Sequence, residues 1–239
     1  MRLAMWSGPR NISTALMRSW ENRDDCVVVD EPFYAYYLAE TGSQHPGRVE
    51  VIEAGETDWR RVVTGLVGSV PAGTRIHYQK HMAHHLLPHV ERRWLTQLTN
   101  VLLIRDPAEV VASYRKSRTH VVAADLGVRQ QRDLYVFLSA QGAQPPVVDA
   151  ADFLRDPPTH LEWLCDLIGV RFSTAMLSWP PGPRASDGVW APYWYDKVLA
   201  STGFAPYRRH SVDLGAEDAA VAAVCRPAYD ELADVRLRL

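Results

Sequence analysis

The residues from Trp6 to Trp20, WSGPRNISTALMRSW, set small residues, a glycine, an arginine and two hydroxyls where a strand gives way to a helix. A helix start presents unpaired N–H groups and the positive end of the helix dipole, which suits a phosphate or sulfate. Arg10 adds a permanent charge, and Ser13 and Thr14 add two hydroxyl donors. The same pattern also fits an ordinary strand-to-helix turn capped by Ser13 or Thr14. It is not a Walker A loop, because G-x-x-x-x-G-K-[ST] is absent and no lysine stands where it could reach a γ-phosphate. A second segment, LLIRDPAEVVASYRKSR from Leu102 to Arg118, ends an apolar strand on Arg105 and sets Ser113 eight positions later. On a helix, Ser113 shares a polar face with Glu109 and Lys116, opposite Val110, Val111 and Tyr114. Taken alone, this second segment reads as a routine amphipathic helix whose serine faces water.

Two further segments carry titratable groups. In DEPFYAYY, Glu31 follows a strand directly, at the carboxyl end where ligands sit in open parallel sheets. Burial among Phe33, Tyr34 and Tyr37 would raise its pKa toward values useful to a general base. The competing role for Glu31 is a helix N-terminal acid that complements the dipole. In QKHMAHHL, Lys80 precedes three histidines within five positions, His81, His84 and His85. No carboxylate or cysteine spacing accompanies them, so no metal is expected there. The stretch from Asp187 to Phe204 holds Trp190, Tyr193, Trp194 and Tyr195, rings that suit stacking on a base, covering an apolar acceptor or folding onto the core.

The elements that must position these groups alternate. Strands are expected at 2–6, 26–30, 75–80, 100–105 and 146–149. Helices are expected at 13–22, 33–40, 59–68, 107–116, 126–140, 158–168 and 217–232. NVLLIR, from Asn100 to Arg105, is nearly all apolar at its centre, as a parallel strand buried on both faces requires. Pro107 suits the first turn of its helix, where its missing N–H costs nothing. The alternation predicts an α/β fold, a three-layer αβα arrangement with a mainly parallel central sheet. Residues 178–207 read as a long irregular loop or lid. With no repeat, linker or composition break, residues 1–239 are expected to form a single domain.

Together the two anion-type segments resemble the family of sulfotransferases that use 3′-phosphoadenosine 5′-phosphosulfate (PAPS), bacterial type. That family has a P-loop-like fold. Its first signature, a strand–loop–helix around the 5′-phosphosulfate, falls here on Ser7, Gly8, Pro9, Arg10, Asn11, Ile12, Ser13 and Thr14. Its second, an Arg-x-Pro…Ser element holding the 3′-phosphate, falls on Arg105, Pro107 and Ser113. Ile12 stands where the family's loop carries glycine, and a β-branched residue disfavours positive φ, so the loop must meet the phosphate differently. Arg208 and Arg209 stand in for the family's C-terminal basic loop.

The resemblance implies sulfuryl transfer from PAPS as donor co-substrate to a hydroxyl or amine of a small-molecule acceptor, without a metal. Arg10 would stabilise the leaving phosphate, and Glu31 would serve as base, as in several bacterial-type members. Lys80 and His81 compete for that role through their likeness to the Lys-x-His of cytosolic members, with the spacing off by one residue. The alternatives are a non-catalytic nucleotide-binding protein of the same fold, and a P-loop-type kinase, against which the missing Walker lysine argues.

Composition excludes other classes. A net charge of −2 supplies no broad positive field for nucleic acid. The apolar run after Met1 is too short for a signal-peptide core or a membrane span. Cys26, Cys165 and Cys225, odd in number and far apart, predict a reducing, cytoplasmic setting.

Overall fold

The computed structural model describes residues 1–208 and 212–238. Five strands form the sheet: β1 (Arg2–Ser7), β2 (Cys26–Asp30), β3 (Ile76–Met82), β4 (Thr99–Ile104) and β5 (Val147–Asp149). The helices in the first half are α1 (Ser13–Glu21), α2 (Tyr34–Thr41), α3 (Arg48–Ala54), α4 (Trp59–Val67) and α5 (Pro107–Tyr114). Those in the second half are α6 (Val128–Ala140), α7 (Ala150–Arg155), α8 (Pro157–Leu167), α9 (Ala191–Trp194), α10 (Asp196–Leu199) and α11 (Ala216–Asp234).

The strand order is β2-β3-β1-β4-β5, and every pairing is parallel. Alternation along β1 divides the core. Leu3 and Met5 face one side and pack with Leu16, Met17 and Trp20 of α1 and Leu161 and Leu164 of α8. Ala4 and Trp6 face the other side and pack with residues of α5, α6 and α11. Helices therefore cover both faces, because strands buried on both sides must shed apolar surface in both directions. No helix among the described residues is long and apolar enough to cross a membrane.

The expected strands and long helices are present, with three informative differences. β3 runs on to Met82, two residues beyond the expected end. The stretch read as irregular holds the one-turn helices α9 and α10, and an isolated bridge from Ser178 to Gly203 closes it on itself. α3 and α7 were not expected, and at seven and six residues they are too short to show a clear apolar period. From β1 the chain passes toward β2 and β3, and from β3 it crosses to β4 on the other side of β1. The direction reverses between β1 and β4, the place where open sheets of this kind leave a crevice at their carboxyl ends.

Candidate functional site

A cavity of about 560 Å³ opens at the carboxyl ends of the strands. Its walls include Pro9 to Ala15 after β1, Glu31 after β2, His84 and His85 after β3, Arg105 after β4, and Ser113 on α5. Segments far apart in sequence thus face one space because parallel strands all point their carboxyl ends the same way.

The first wall is the β1–α1 loop. Gly8 is required by close approach: a Cβ there would meet the Leu126 carbonyl oxygen at 2.2 Å. Asn11 holds the loop by donating from Nδ2 to the Leu103 carbonyl at 3.0 Å and accepting from the Ile12 N–H at 2.9 Å. Ile12 has φ −89°, and the left-handed position falls on Arg10 instead, at φ 55°. The turn a glycine would make is displaced two residues toward β1, so the β-branched side chain carries no strain. α1 begins with no side-chain cap and no acid in its first turn, leaving its positive end toward the cavity.

The second wall meets the first at Arg10. Arg105 Nη1 donates to the Arg10 carbonyl at 2.6 Å, and Arg10 Nε donates to Ser113 Oγ at 3.3 Å. Arg105 Nε is held in turn by Glu109 Oε2 at 3.0 Å. Asp106 caps α5 through the Ala108 N–H, and Pro107 occupies its first turn, which fixes where Ser113 emerges. Burial and the neighbouring Arg105 lower the pKa of Arg10. The Arg10 guanidinium therefore stands in a setting that a bound anion would relieve.

Glu31 lines the same cavity above a buried charge cluster. Asp30 and Lys80 are cross-strand partners on β2 and β3, so their side chains share one face of the sheet. Lys80 Nζ donates to Glu31 Oε1 at 2.5 Å, Asp30 Oδ1 at 2.8 Å and Tyr195 Oη at 2.7 Å. Tyr195 donates to Asp30 Oδ2 at 2.6 Å and accepts from Trp190 Nε1 at 3.1 Å. Burial lowers the Lys80 pKa, but the Asp30 and Glu31 carboxylates outweigh it and hold the pKa well above the usual lysine value. Burial pushes the Glu31 carboxyl up, Lys80 pulls it down, and Asp30 pushes it up again; the outcome is a raised pKa. Glu31 has φ 39°, and its N–H is tied to the Lys80 carbonyl at 2.9 Å. Among the described residues Arg10 and Glu31 are the two non-glycine residues with positive φ, a conformation that costs on the order of 1–3 kcal/mol each.

Several expected site residues stand elsewhere. Ser7 is buried and its hydroxyl donates to the His81 carbonyl, so neither it nor Gly8 lines the cavity. Lys80 is fully buried with its three ammonium hydrogens engaged, and it supports Glu31 from beneath. His81 is turned away altogether. It pairs with Trp6 across the strands and stacks on that indole at 4.1 Å, and burial drives its pKa down to about 3. The reason is the length of β3: neighbours on a strand point to opposite faces, so Lys80 and His81 cannot both serve one site. Arg208 is exposed and away from the cavity lining, and Arg209 lies outside the described residues.

Sequence reasoning missed Asp30 and Tyr195. Asp30 was hidden as the last residue of an apolar strand. Tyr195 sits 115 residues beyond Lys80, in a segment without periodic pattern. That segment is anchored again by Arg18 Nη2 to Asp187 Oδ2 at 2.7 Å, and Tyr193 to Val198 line the cavity. No group of three or more histidine, cysteine or acidic side chains suited to a metal occurs among the described residues.

Comparison with known proteins adds to this geometry. The family described as "Sulfotransferase domain" matches residues 1–233. Two proteins of Arabidopsis thaliana named branched-chain-amino-acid aminotransferase-like protein 1 and 2 are 37% and 33% identical to the chain. The first match covers 86% of this chain and 37% of that protein, the second 95% and 40%. The chain spans about two fifths of the length of those relatives. Among solved structures, the sulfotransferase from Alicyclobacillus acidocaldarius superposes with a TM-score of 0.56 at 13% identity, over 98% of this chain and 96% of that one. The sulfotransferase domain of the Synechococcus PCC 7002 olefin synthase gives 0.51 at 17% identity, over 94% of each chain. At such identity these two likenesses show the fold, which is P-loop-like.

Proposed function

The chain belongs to the sulfotransferase family, and from that premise we propose that it moves a sulfuryl group from PAPS to a hydroxyl or amine of a small-molecule acceptor. The observation that carries this is the junction at Arg10, which joins the two anion-type segments in the wall of a cavity that Glu31 also lines. The uncapped start of α1 and the Arg10 guanidinium fit the phosphates of such a donor, since they offer N–H groups and positive charge with no acid in α1's first turn, and Arg105, ion-paired with Glu109 at 3.0 Å, stands beside them.

In this reading the acceptor oxygen or nitrogen attacks sulfur, and the bond from sulfur to the 5′-phosphate oxygen breaks. Adenosine 3′,5′-bisphosphate leaves with the electron pair, and Arg10 stabilises the charge that builds on it. The acceptor's proton passes to the Glu31 carboxylate, whose raised pKa favours its taking it. Lys80 is a positioning residue: it holds Glu31 in place and keeps the cluster from carrying two uncompensated negative charges. The three cysteines, all unpaired, suit a reducing compartment such as the cytoplasm. The aminotransferase-like name belongs to proteins more than twice as long as the matched segment, and amino-group transfer is not carried over from it.

The test is calorimetry with adenosine 3′,5′-bisphosphate and with ATP, coupled to transfer of labelled sulfate from PAPS. The bisphosphate should bind in preference to ATP, and Arg105→Ala should weaken it by about tenfold or more. Glu31→Gln should keep that affinity and lose about 10²–10⁴ in transfer rate. Preference for ATP would indicate a kinase-type site, and full activity in Glu31→Gln would place the base elsewhere.

A further inference from the structure

One carboxylate stands close to the donor wall and has no part in the transfer step. Glu109 is in the first turn of α5 and approaches Arg105 from outside the cavity, whose lining it does not join. Both of its oxygens are engaged. Oε2 accepts from Arg105 Nε at 3.0 Å, and Oε1 accepts from Tyr207 Oη at 3.1 Å. Tyr207 is fixed in turn, its N–H donating to the Leu154 carbonyl at 3.3 Å and its ring lying 4.5 Å from the Arg155 guanidinium. The Glu109 side chain is 14% exposed, and Arg105 is its one ion-pair partner among the described residues. Asp106, the other acid at the start of α5, is paired with Arg226 at 2.8 Å instead. Arg105 Nη1 is taken by the Arg10 carbonyl, which leaves Nη2 as the edge without a protein partner among the described residues.

We propose that Glu109 is a positioning residue with two effects on Arg105: it holds the guanidinium with Nη2 open to the donor's 3′-phosphate, and its charge keeps the grip on that phosphate weak enough for adenosine 3′,5′-bisphosphate to leave. The proposal rests on the sulfuryl-transfer reading and concerns its donor half. An arginine with two of its nitrogens tied offers a ligand one edge, so the hydrogen bonds to Glu109 and to the Arg10 carbonyl set where a phosphate is met. The same carboxylate opposes that phosphate. Two negative groups on either side of one guanidinium lie about 6 Å apart, and in a partly exposed site their repulsion changes affinity about severalfold. The 3′-phosphate is present before and after transfer, so the weakening acts alike on donor and product. A site that held both more tightly would gain nothing in turnover, because the product must leave before the next donor enters.

Glu109→Gln keeps an acceptor for Arg105 Nε and removes the charge. In calorimetry this variant should bind adenosine 3′,5′-bisphosphate about fivefold more tightly than the unaltered protein. Adenosine 5′-phosphate, which lacks the 3′-phosphate, should bind both within about twofold of each other. In sulfate transfer the variant's KM for PAPS should fall by a factor similar to the bisphosphate's, with no rise in kcat. Glu109→Asp restores the charge and should return bisphosphate affinity to within about twofold of the unaltered protein. Tyr207→Phe breaks the second hydrogen bond, keeps the charge and should not tighten binding. Bisphosphate affinity unchanged or lowered in Glu109→Gln, equal tightening in Tyr207→Phe, or equal tightening of adenosine 5′-phosphate would overturn the role of Glu109 alone. Absence of bisphosphate binding in the unaltered protein would overturn the sulfuryl-transfer reading beneath it.

Discussion

Replacing Asp30 with asparagine removes one charge from the buried Asp30–Lys80–Glu31 cluster while keeping its shape. Both carboxylates lie within hydrogen-bond reach of the same nitrogen, so they stand no more than about 5 Å apart. At an effective dielectric constant near 20 their repulsion is about 3 kcal/mol. Asp30 raises the proton affinity of Glu31 and Lys80 lowers it. Asp30→Asn removes the raising influence and leaves Lys80 to Glu31 and Tyr195, so Glu31 becomes the weaker base. The acid limb of the pH profile of kcat/KM should therefore move to lower pH. If about half of the 3 kcal/mol reaches the transition state, kcat on the plateau falls about tenfold. The assay is sulfate transfer from about pH 5 to pH 9, with calorimetry on the bisphosphate as control. An acid limb that stays put or moves upward would refute the reasoning. So would an equal loss of bisphosphate affinity, which would mean that Asp30 supports the donor site.

Three other perturbations test the packing that holds the site. Lys80→Met strands two buried carboxylates and should cost about 3–5 kcal/mol in urea unfolding near pH 8, with a smaller loss near pH 5, where Glu31 more readily holds a proton. His81 and His84, both depressed to about 3, contribute stability that is present above their unfolded value of 6.5 and is lost as pH falls toward 3. Each should add a slope of about 1.4 kcal/mol per pH unit below pH 6, and His81→Phe should remove one such increment without lowering kcat. A large fall in kcat in that variant would restore His81 as a candidate base. Gly8→Ala drives a methyl group into the Leu126 carbonyl and should destabilise by about 1–3 kcal/mol, read as a lower urea midpoint at unchanged slope.

Much of the fold was legible because its signals are local. CVVVD and NVLLIR announce strands buried on both faces, and Asp106-Pro107 announces a helix start, since each depends only on neighbouring residues. The two anion-type segments were legible for the same reason: a strand end, a helix start and an arginine can all be read in one window. Ile12 could be read as excluded from positive φ, but which residue takes the turn instead could not, because Arg10 is pinned there by Arg105 from 95 residues away.

Glu31 and its buried partners lie on the other side of that line. Glu31 could be placed at a strand end from its position alone. Whether Lys80 or His81 accompanied it depended on how far β3 extends, and that is decided by pairing with β1 and β2. Once the strand runs to Met82, one side chain must face Asp30 and the next must face Trp6. Tyr195 reaches the cluster only because Arg18 and Asp30 hold its segment against the sheet. The sequence by itself determined which residue types could bind an anion or move a proton. Only the tertiary structure decided which of them face one cavity, since side-chain direction on a strand is set by registry with its neighbours, and registry is a property of the whole sheet.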